Sequence, residues 1–330
     1  MSESAGMDSG LIAGEIAGKP IAGVRLRLPA TSANLGPGFD AVGLAMGLAL
    51  TIDATVHTPG GQELTIVATG RDAGRCSRTK NNMIFETYRD LLQRAGRTVL
   101  PLGLRIHNEI PLGMGCGSSA AALLAGVLLA NHFGELGWSL HTCMEEACRR
   151  EGHPDNVAAC ALGFLTASAV SDGSVVAATC GEELKWKLLL ALPSASLATE
   201  KARALLPVNY SRADAVANVQ RTALLISAFA LGRGDLLRVA MQDRLHQPYR
   251  MEVCPLLPLL LPMAGEPGVL GVALSGAGPG VLLVVEAKAA VDEIVMRIRS
   301  VAGDPALEIV ETRIGSGALQ SPLPLQVSRL

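Results

Sequence analysis

Pro111-Leu-Gly-Met-Gly-Cys-Gly-Ser-Ser-Ala-Ala121 sets three glycines at alternate positions directly before a run rich in Ala and Leu. Gly113, Gly115 and Gly117 carry no Cβ, so a ligand is free to approach the peptide N–H groups closely. Residues 120–130 favour helix, with Leu124 and Leu128 four apart on one face. A glycine loop that enters a helix gathers unpaired N–H donors at the positive end of the helix dipole, and such a site binds phosphate. Ser118 and Ser119 are suited to capping the helix, and a hydroxyl there is also a ligand for a phosphate-bound Mg²⁺. The plainer alternative is a glycine-rich turn that caps a core helix. The loop is not a Walker A motif, because no Lys follows the glycines, and it is not a dinucleotide fingerprint, because residue 118 is Ser.

The rest of the chain narrows the class. Its 330 residues suffice for one large or two medium domains, and 49% hydrophobic against 18% charged residues describes a globular protein. A net charge of −2 leaves no basic footprint for nucleic acid. The seven cysteines form no Cys-x-x-Cys pair and several lie in apolar runs, which fits reduced, buried thiols rather than a disulfide framework or metal cluster. No stretch is long and apolar enough for a membrane span, and residues 1–22 read as a flexible tail without a signal-peptide pattern. A cytoplasmic location is expected.

Upstream of the loop, residues 24–29 alternate and read as a strand ended by Pro29. Residues 29–43 form a Gly/Pro-punctuated loop carrying Thr31, Ser32, Asn34 and Asp40, either a connector or a ligand-contact loop. Strands are expected within 48–67 and over 102–108, with a helix over 85–94 between them. Downstream, Ser139 is a candidate N-cap for a helix to Glu151, with Leu140, Met144, Ala147 and Cys148 on its apolar face. Glu151 turns back towards that face, where it needs a partner such as a cation, or else frays into water. The following turn gathers His153, Asp155 and Asn156 around Pro154. The pattern restarts at Ser168, dividing the chain into 23–167 and 168–330. In the second part, strands are expected over 186–192, 281–285 and 307–313, and helices over 213–231, 235–245 and 287–300. Thr199 and Arg203 share one face if helical, or mark a solvated helix end. A second glycine run, 271–280, reads as a strand-to-strand turn. The alternation of these elements is a mixed α+β arrangement.

Four stretches, 29–40, 111–121, 151–156 and 274–279, resemble in order the motifs of the GHMP kinases, which act on galactose, homoserine, mevalonate and phosphomevalonate. Pro-Ala-Thr-Ser-Ala-Asn-Leu-Gly-Pro-Gly-Phe-Asp and Glu-Gly-His-Pro-Asp-Asn are similar to the homoserine-phosphorylating branch. The resemblance spans about 24–313. It implies a ribosomal-protein-S5-like N-terminal domain, a ferredoxin-like C-terminal domain, and ATP and L-homoserine in the cleft between them, with the γ-phosphoryl group passing to the side-chain hydroxyl. Pro111, Leu112, Gly113, Met114, Gly115, Cys116, Gly117, Ser118, Ser119 and Ala120 would cradle the triphosphate. One of Ser118 and Ser119, with Glu151, would hold Mg²⁺. Asn82, or Asn81 beside it, would lie near the adenosine. Asn34, Asp40, His153, Asp155 and Asn156 would grip the amino acid, with Arg203 or Arg250 on its carboxylate and Thr199 near the transferring phosphate. Asp155 would act as base or as ammonium ligand. Met114, Cys116 and Gly280 depart from the usual pattern without removing a charged group. A homodimer is expected by analogy. The competing readings are a kinase of this fold for another alcohol, such as threonine, mevalonate or a sugar, and a binding protein without turnover.

Overall fold

The computed structural model describes residues 15–16, 19–20, 22–57, 62–195, 197 and 199–323. Most of the expected tail, 1–22, lies outside them. The first sheet is built from β1 (Val24–Asn34), β2 (Gly38–Val56), β3 (Leu64–Gly70), β4 (Leu102–Asn108), β5 (Leu165–Ser171), β6 (Ser174–Cys180) and a last strand, β11 (Leu319–Pro322). Its order is β11-β1-β2-β4-β3, and the other end of β2 pairs with β5, which pairs with β6. Four helices cover it: α1 (Met83–Arg94), α2 (Ser118–Phe133), α3 (Leu140–Glu151) and α4 (Asp155–Leu162).

Pro29 does not end the first strand. Strand β11 covers β1 only from Val24 to Arg27, so the missing N–H of Pro29 falls where that neighbour has stopped, and the pairing with β2 shifts register there. The expected loop at 29–43 is therefore mostly two strands joined by a tight turn at 35–37. Helix α2 is buried on nearly its whole circumference rather than on one face, because Leu123, Leu124, Val127, Leu128 and Leu129 all meet neighbours. On α3 the Ser139 cap forms as expected, but Leu140 is exposed and Cys143 takes its place in the core. Residue 168, where the sequence pattern restarts, lies inside β5.

The second sheet comprises β7 (Lys187–Leu192), β8 (Val269–Leu274), β9 (Val281–Val285) and β10 (Glu308–Arg313) in the order β8-β9-β7-β10. Helix α5 (Thr199–Ala204) and α6 (Arg212–Ala230) follow β7, and α7 (Val291–Ala302) joins β9 to β10. This βαββαβ path is the ferredoxin-like topology. Its three strands β7, β8 and β9 are largely apolar and buried because both faces are covered, whereas the edge strand β10 carries exposed polar residues. Leu188, Leu190 and Leu192 enter the large core continuous with the first sheet, while Leu189 and Ala191 enter a second core with Leu257, Ile294 and Ile298. The helix expected over 235–245 breaks into Gly234–Leu236 and Leu237–Ala240. The Asp243 carboxylate accepts the N–H groups of Leu245, His246 and Gln247, which offers the backbone an alternative to helix. No described helix is long and apolar enough to cross a membrane.

Arg71, after β3, meets Glu308 on β10 through two hydrogen bonds of 2.5 and 2.6 Å, tying one sheet to the other. The Arg71 bonds hold the Glu308 carboxyl below the usual range, against a smaller effect of burial. A depressed carboxyl adds stability above its unfolded pKa and loses it as pH falls through the folded one. Both side chains are substantially solvated, so Arg71→Ala is expected to lower the melting temperature by only about 2 °C at neutral pH. The gap to wild type should narrow when the melts are repeated at a pH well below the usual glutamate range. An equal gap at both pH values in thermal melts would refute the assignment.

Candidate active site

The glycine loop sits between the sheets. Gly113, Gly115 and Gly117 all have positive φ, and Gly117 is the N-cap of α2 with no side-chain cap. Ser118 and Ser119 are thus the first residues of the helix and not its caps, so the first-turn N–H groups face the cleft with no side-chain acceptor among the described residues. The Ser119 hydroxyl donates instead to Glu151 Oε1 at 2.6 Å. Glu151 ends α3, half-buried and beside the loop, so it does not fray into water. Cys116 is buried, and desolvation pushes its thiol up to about 12, which makes it inert. The Ala120 side chain is core, leaving only its backbone near the loop.

The second sheet closes on the loop through its own glycine turn. The Ser275 hydroxyl donates to the Gly115 carbonyl at 2.8 Å, and the Gly276 N–H donates to the Ala33 carbonyl at 3.2 Å. The N–H of Thr31 reaches the Cys116 carbonyl at 3.1 Å. A cleft lined by both domains results, holding Asn34, Asp40, Glu151, His153, Asp155, Asn156, Arg203 and Arg250 beside the loop. A second cavity shares Ser118 and Ser119 and extends past Leu112 to Arg75, Arg78, Lys80, Asn81 and Asn82. Asn82 caps α1, accepting from Phe85 N and donating to Arg78 O, so its amide is engaged locally while it lines the cavity wall. Pro111 is buried at the loop's entry.

The polar groups of the cleft are organised by charge. Arg203 grips Asp40 with two hydrogen bonds of 2.6 and 3.0 Å. That pairing raises the Arg203 pKa further, against partial burial. His153 Nδ1 lies 2.6 Å from Asp155 Oδ1, which also accepts the Asn156 N–H at 2.6 Å. Burial alone would depress His153, but the bond and charge of Asp155 outweigh it and the imidazole pKa is raised. Ligand atoms of Asp40, His153 and Asp155 lie within 4.8 Å of one another. The Asn156 Oδ1 accepts from the Thr31 hydroxyl at 2.7 Å. Asn34 is a bracket: its amide donates to Gly276 O and its Oδ1 accepts the Asp40 N–H. Arg250 is buried, bonded to Ala202 O and Gly276 O, and its guanidinium is destabilised first by burial and then by Arg203. The Phe39 ring lies 5.5 Å from the Arg203 guanidinium and 5.7 Å from that of Arg250, holding two cations near each other by cation–π contact. Thr199 opens α5, and its side chain lies outside the described part of the structure.

Sequence reading missed Phe39, His246, Ser275 and the cations Arg75, Arg78 and Lys80. The phenylalanine gave no local sign, since its partners are more than 160 residues away in the chain. The cations were visible as a basic cluster just before α1.

A glycine loop feeding a helix, closed from above by a ferredoxin-like sheet, defines a two-domain kinase of the GHMP type. Accordingly, residues 82–164 match the family model for the GHMP kinases N terminal domain, and residues 225–302 the model for GHMP kinases C terminal. A homoserine kinase of Solibacter usitatus is 49% identical over 262 residues, covering 79% of this chain and 84% of the relative. One from Synechocystis sp. is 39% identical, covering 78% and 85%. The chain belongs to the homoserine kinase family. The crystal structure of homoserine kinase from Cytophaga hutchinsonii shares the fold, with a TM-score of 0.77 at 22% identity over 91% of this chain and 98% of that one.

Proposed function

We propose that this protein transfers the γ-phosphoryl group of ATP to the side-chain hydroxyl of L-homoserine, giving O-phospho-L-homoserine for threonine synthesis in the cytoplasm. The observation that carries the reading is the charge layout beside the phosphate loop: Arg203 and Arg250 with three carboxylates, Asp40, Glu151 and Asp155, in one cleft. A zwitterionic alcohol matches both signs. The Asp40–Arg203 pair is exchanged on binding: the substrate ammonium takes Asp40, and its carboxylate takes Arg203 and Arg250. Mevalonate offers no cation to the carboxylates, and a neutral sugar leaves both signs unmatched.

The loop N–H groups and the first turn of α2 hold the triphosphate. The Ser119 hydroxyl and the Glu151 carboxylate, in contact at 2.6 Å, form an all-oxygen pair suited to Mg²⁺. Bound there, the ion neutralises phosphate charge. Asp155 Oδ1 is taken by His153 and Asn156, so Oδ2 is the oxygen that accepts a hydrogen bond from the substrate. Such a transfer depends on positioning and charge neutralisation, and no strong base is required.

ADP release by purified protein with Mg-ATP and L-homoserine, L-threonine, L-serine or mevalonate tests the reading. The expected kcat/KM for L-homoserine exceeds that for every other acceptor by at least about 100-fold. Turnover only with another alcohol would overturn the substrate, and ATP binding without turnover would favour a binding protein.

A further inference from the structure

Behind Arg250 lies a buried imidazole that is not itself part of the cleft lining but packs against two residues that are. His246 has no exposed surface. Its Nε2 is 2.7 Å from the Gly36 carbonyl, so Nε2 carries a proton and donates it. Its Nδ1 is 3.1 Å from Arg250 Nη1, which has only hydrogens to offer, so Nδ1 accepts. The two partners thus define a single neutral tautomer. Gly36 lies in the turn between Asn34 and Asp40, whereas Arg250 belongs to the C-terminal half. One ring therefore joins the turn that presents Asp40 to the guanidinium opposite it. The ring also stacks on Phe39, with centroids 5.4 Å apart.

We propose that His246 is a positioning residue for the reaction: its neutral ring fixes Arg250 against the Asn34–Asp40 turn, so that Arg250 Nη2 meets the substrate carboxylate. The inference rests on the reading of Arg250 as carboxylate partner. Within the described residues the other two guanidinium nitrogens already have acceptors: Nε on Ala202 O, Nη1 on His246 and Gly276 O. Protonating Nδ1 would aim an N–H at a guanidinium. Burial, opposed by Asp243 and reinforced by Arg250, holds the ring below the usual histidine range. Asp243 lies 3.6 Å from Nε2 and is itself satisfied by Asn218 and by three backbone N–H groups.

Two variants separate the two ring nitrogens. His246→Gln keeps a donor for Gly36 and loses the acceptor for Arg250, whereas His246→Asn keeps an acceptor near Nδ1. Each is assayed with L-homoserine and with L-homoserine methyl ester, which lacks the negative charge. His246→Gln is expected to raise KM for L-homoserine about tenfold, as for a lost hydrogen bond to a charged group. KM for ATP and kcat/KM for the ester should stay at the wild-type values, and His246→Asn should recover most of the homoserine loss. Equal losses on both substrates, equal losses in both variants, or no loss on homoserine would each overturn the positioning role. Failure of the wild-type protein to phosphorylate L-homoserine would instead remove the underlying reading, and the proposal with it.

Discussion

Glu151→Gln is expected to lower kcat with L-homoserine by about 1000-fold, the scale on which removal of one preorganised charge-stabilising group acts. Gln keeps the shape of the side chain and still accepts from the Ser119 hydroxyl, so the 2.6 Å contact has a neutral replacement. What it removes is the negative charge beside the first turn of α2. The N–H groups there are suited to phosphate oxygens and repel a cation, so under the proposed reading a carboxylate would be the group that holds Mg²⁺ at this end of the helix. Activity measured against Mg²⁺ concentration should show a large rise in the concentration needed, together with the fall in kcat. The melting temperature should move little, because Glu151 is half-buried and makes no ion pair among the described residues. Activity within about threefold of wild type across the titration would contradict the metal role, since losing a charged ligand is worth several kcal/mol.

Gly115→Ala is expected to be as severe for a different reason. A Cβ at Gly115 would fall 1.9 Å from the Ser275 carbonyl oxygen and 3.1 Å from the Gly278 backbone nitrogen. These are backbone atoms of the second glycine turn and cannot rotate aside. The two domains would have to part at the point where Ser275 bonds the Gly115 carbonyl. The expected cost is about 3 kcal/mol of stability, from overpacking and from a residue with Cβ at positive φ. A loss of at least about 100-fold in kcat/KM for ATP should accompany it, because a misplacement of about 1 Å is enough for that. Gly137→Ala is the control. Gly137 also has positive φ, but a Cβ there meets nothing within 4 Å, so it carries the conformational cost alone. Similar melting temperatures and activities for the two variants would show that the contact with Ser275 does not matter.

The parts of the site that were legible from the sequence are those set by local pattern. Alternate glycines before an Ala/Leu run mark a loop that enters a helix, as the structure has it, and β4 has the bounds expected of it, Leu102–Asn108. Spacing to Ala147 and Met144 turns Glu151 towards the inner side of its helix, with a frayed last turn as the alternative, and the residue lies beside Ser119. The parts that were not legible depend on distant partners. Asp40 and Arg203 are 163 residues apart, and nothing near either announces that they bond. Pro29 carries a local signal for a strand end, and it is overridden because β11, from the far end of the chain, happens to stop short of it. Residues 235–245 have helical spacing, but one carboxylate, Asp243, collects the backbone donors that a helix would have used.

Phosphorus NMR of a reaction containing the purified protein, Mg-ATP and L-homoserine tests the central claim most directly. The account predicts loss of the ATP γ signal matched by a phosphomonoester signal coupled to a methylene group, with L-homoserine consumed in equal amount. Release of inorganic phosphate alone, with L-homoserine unchanged, would contradict it.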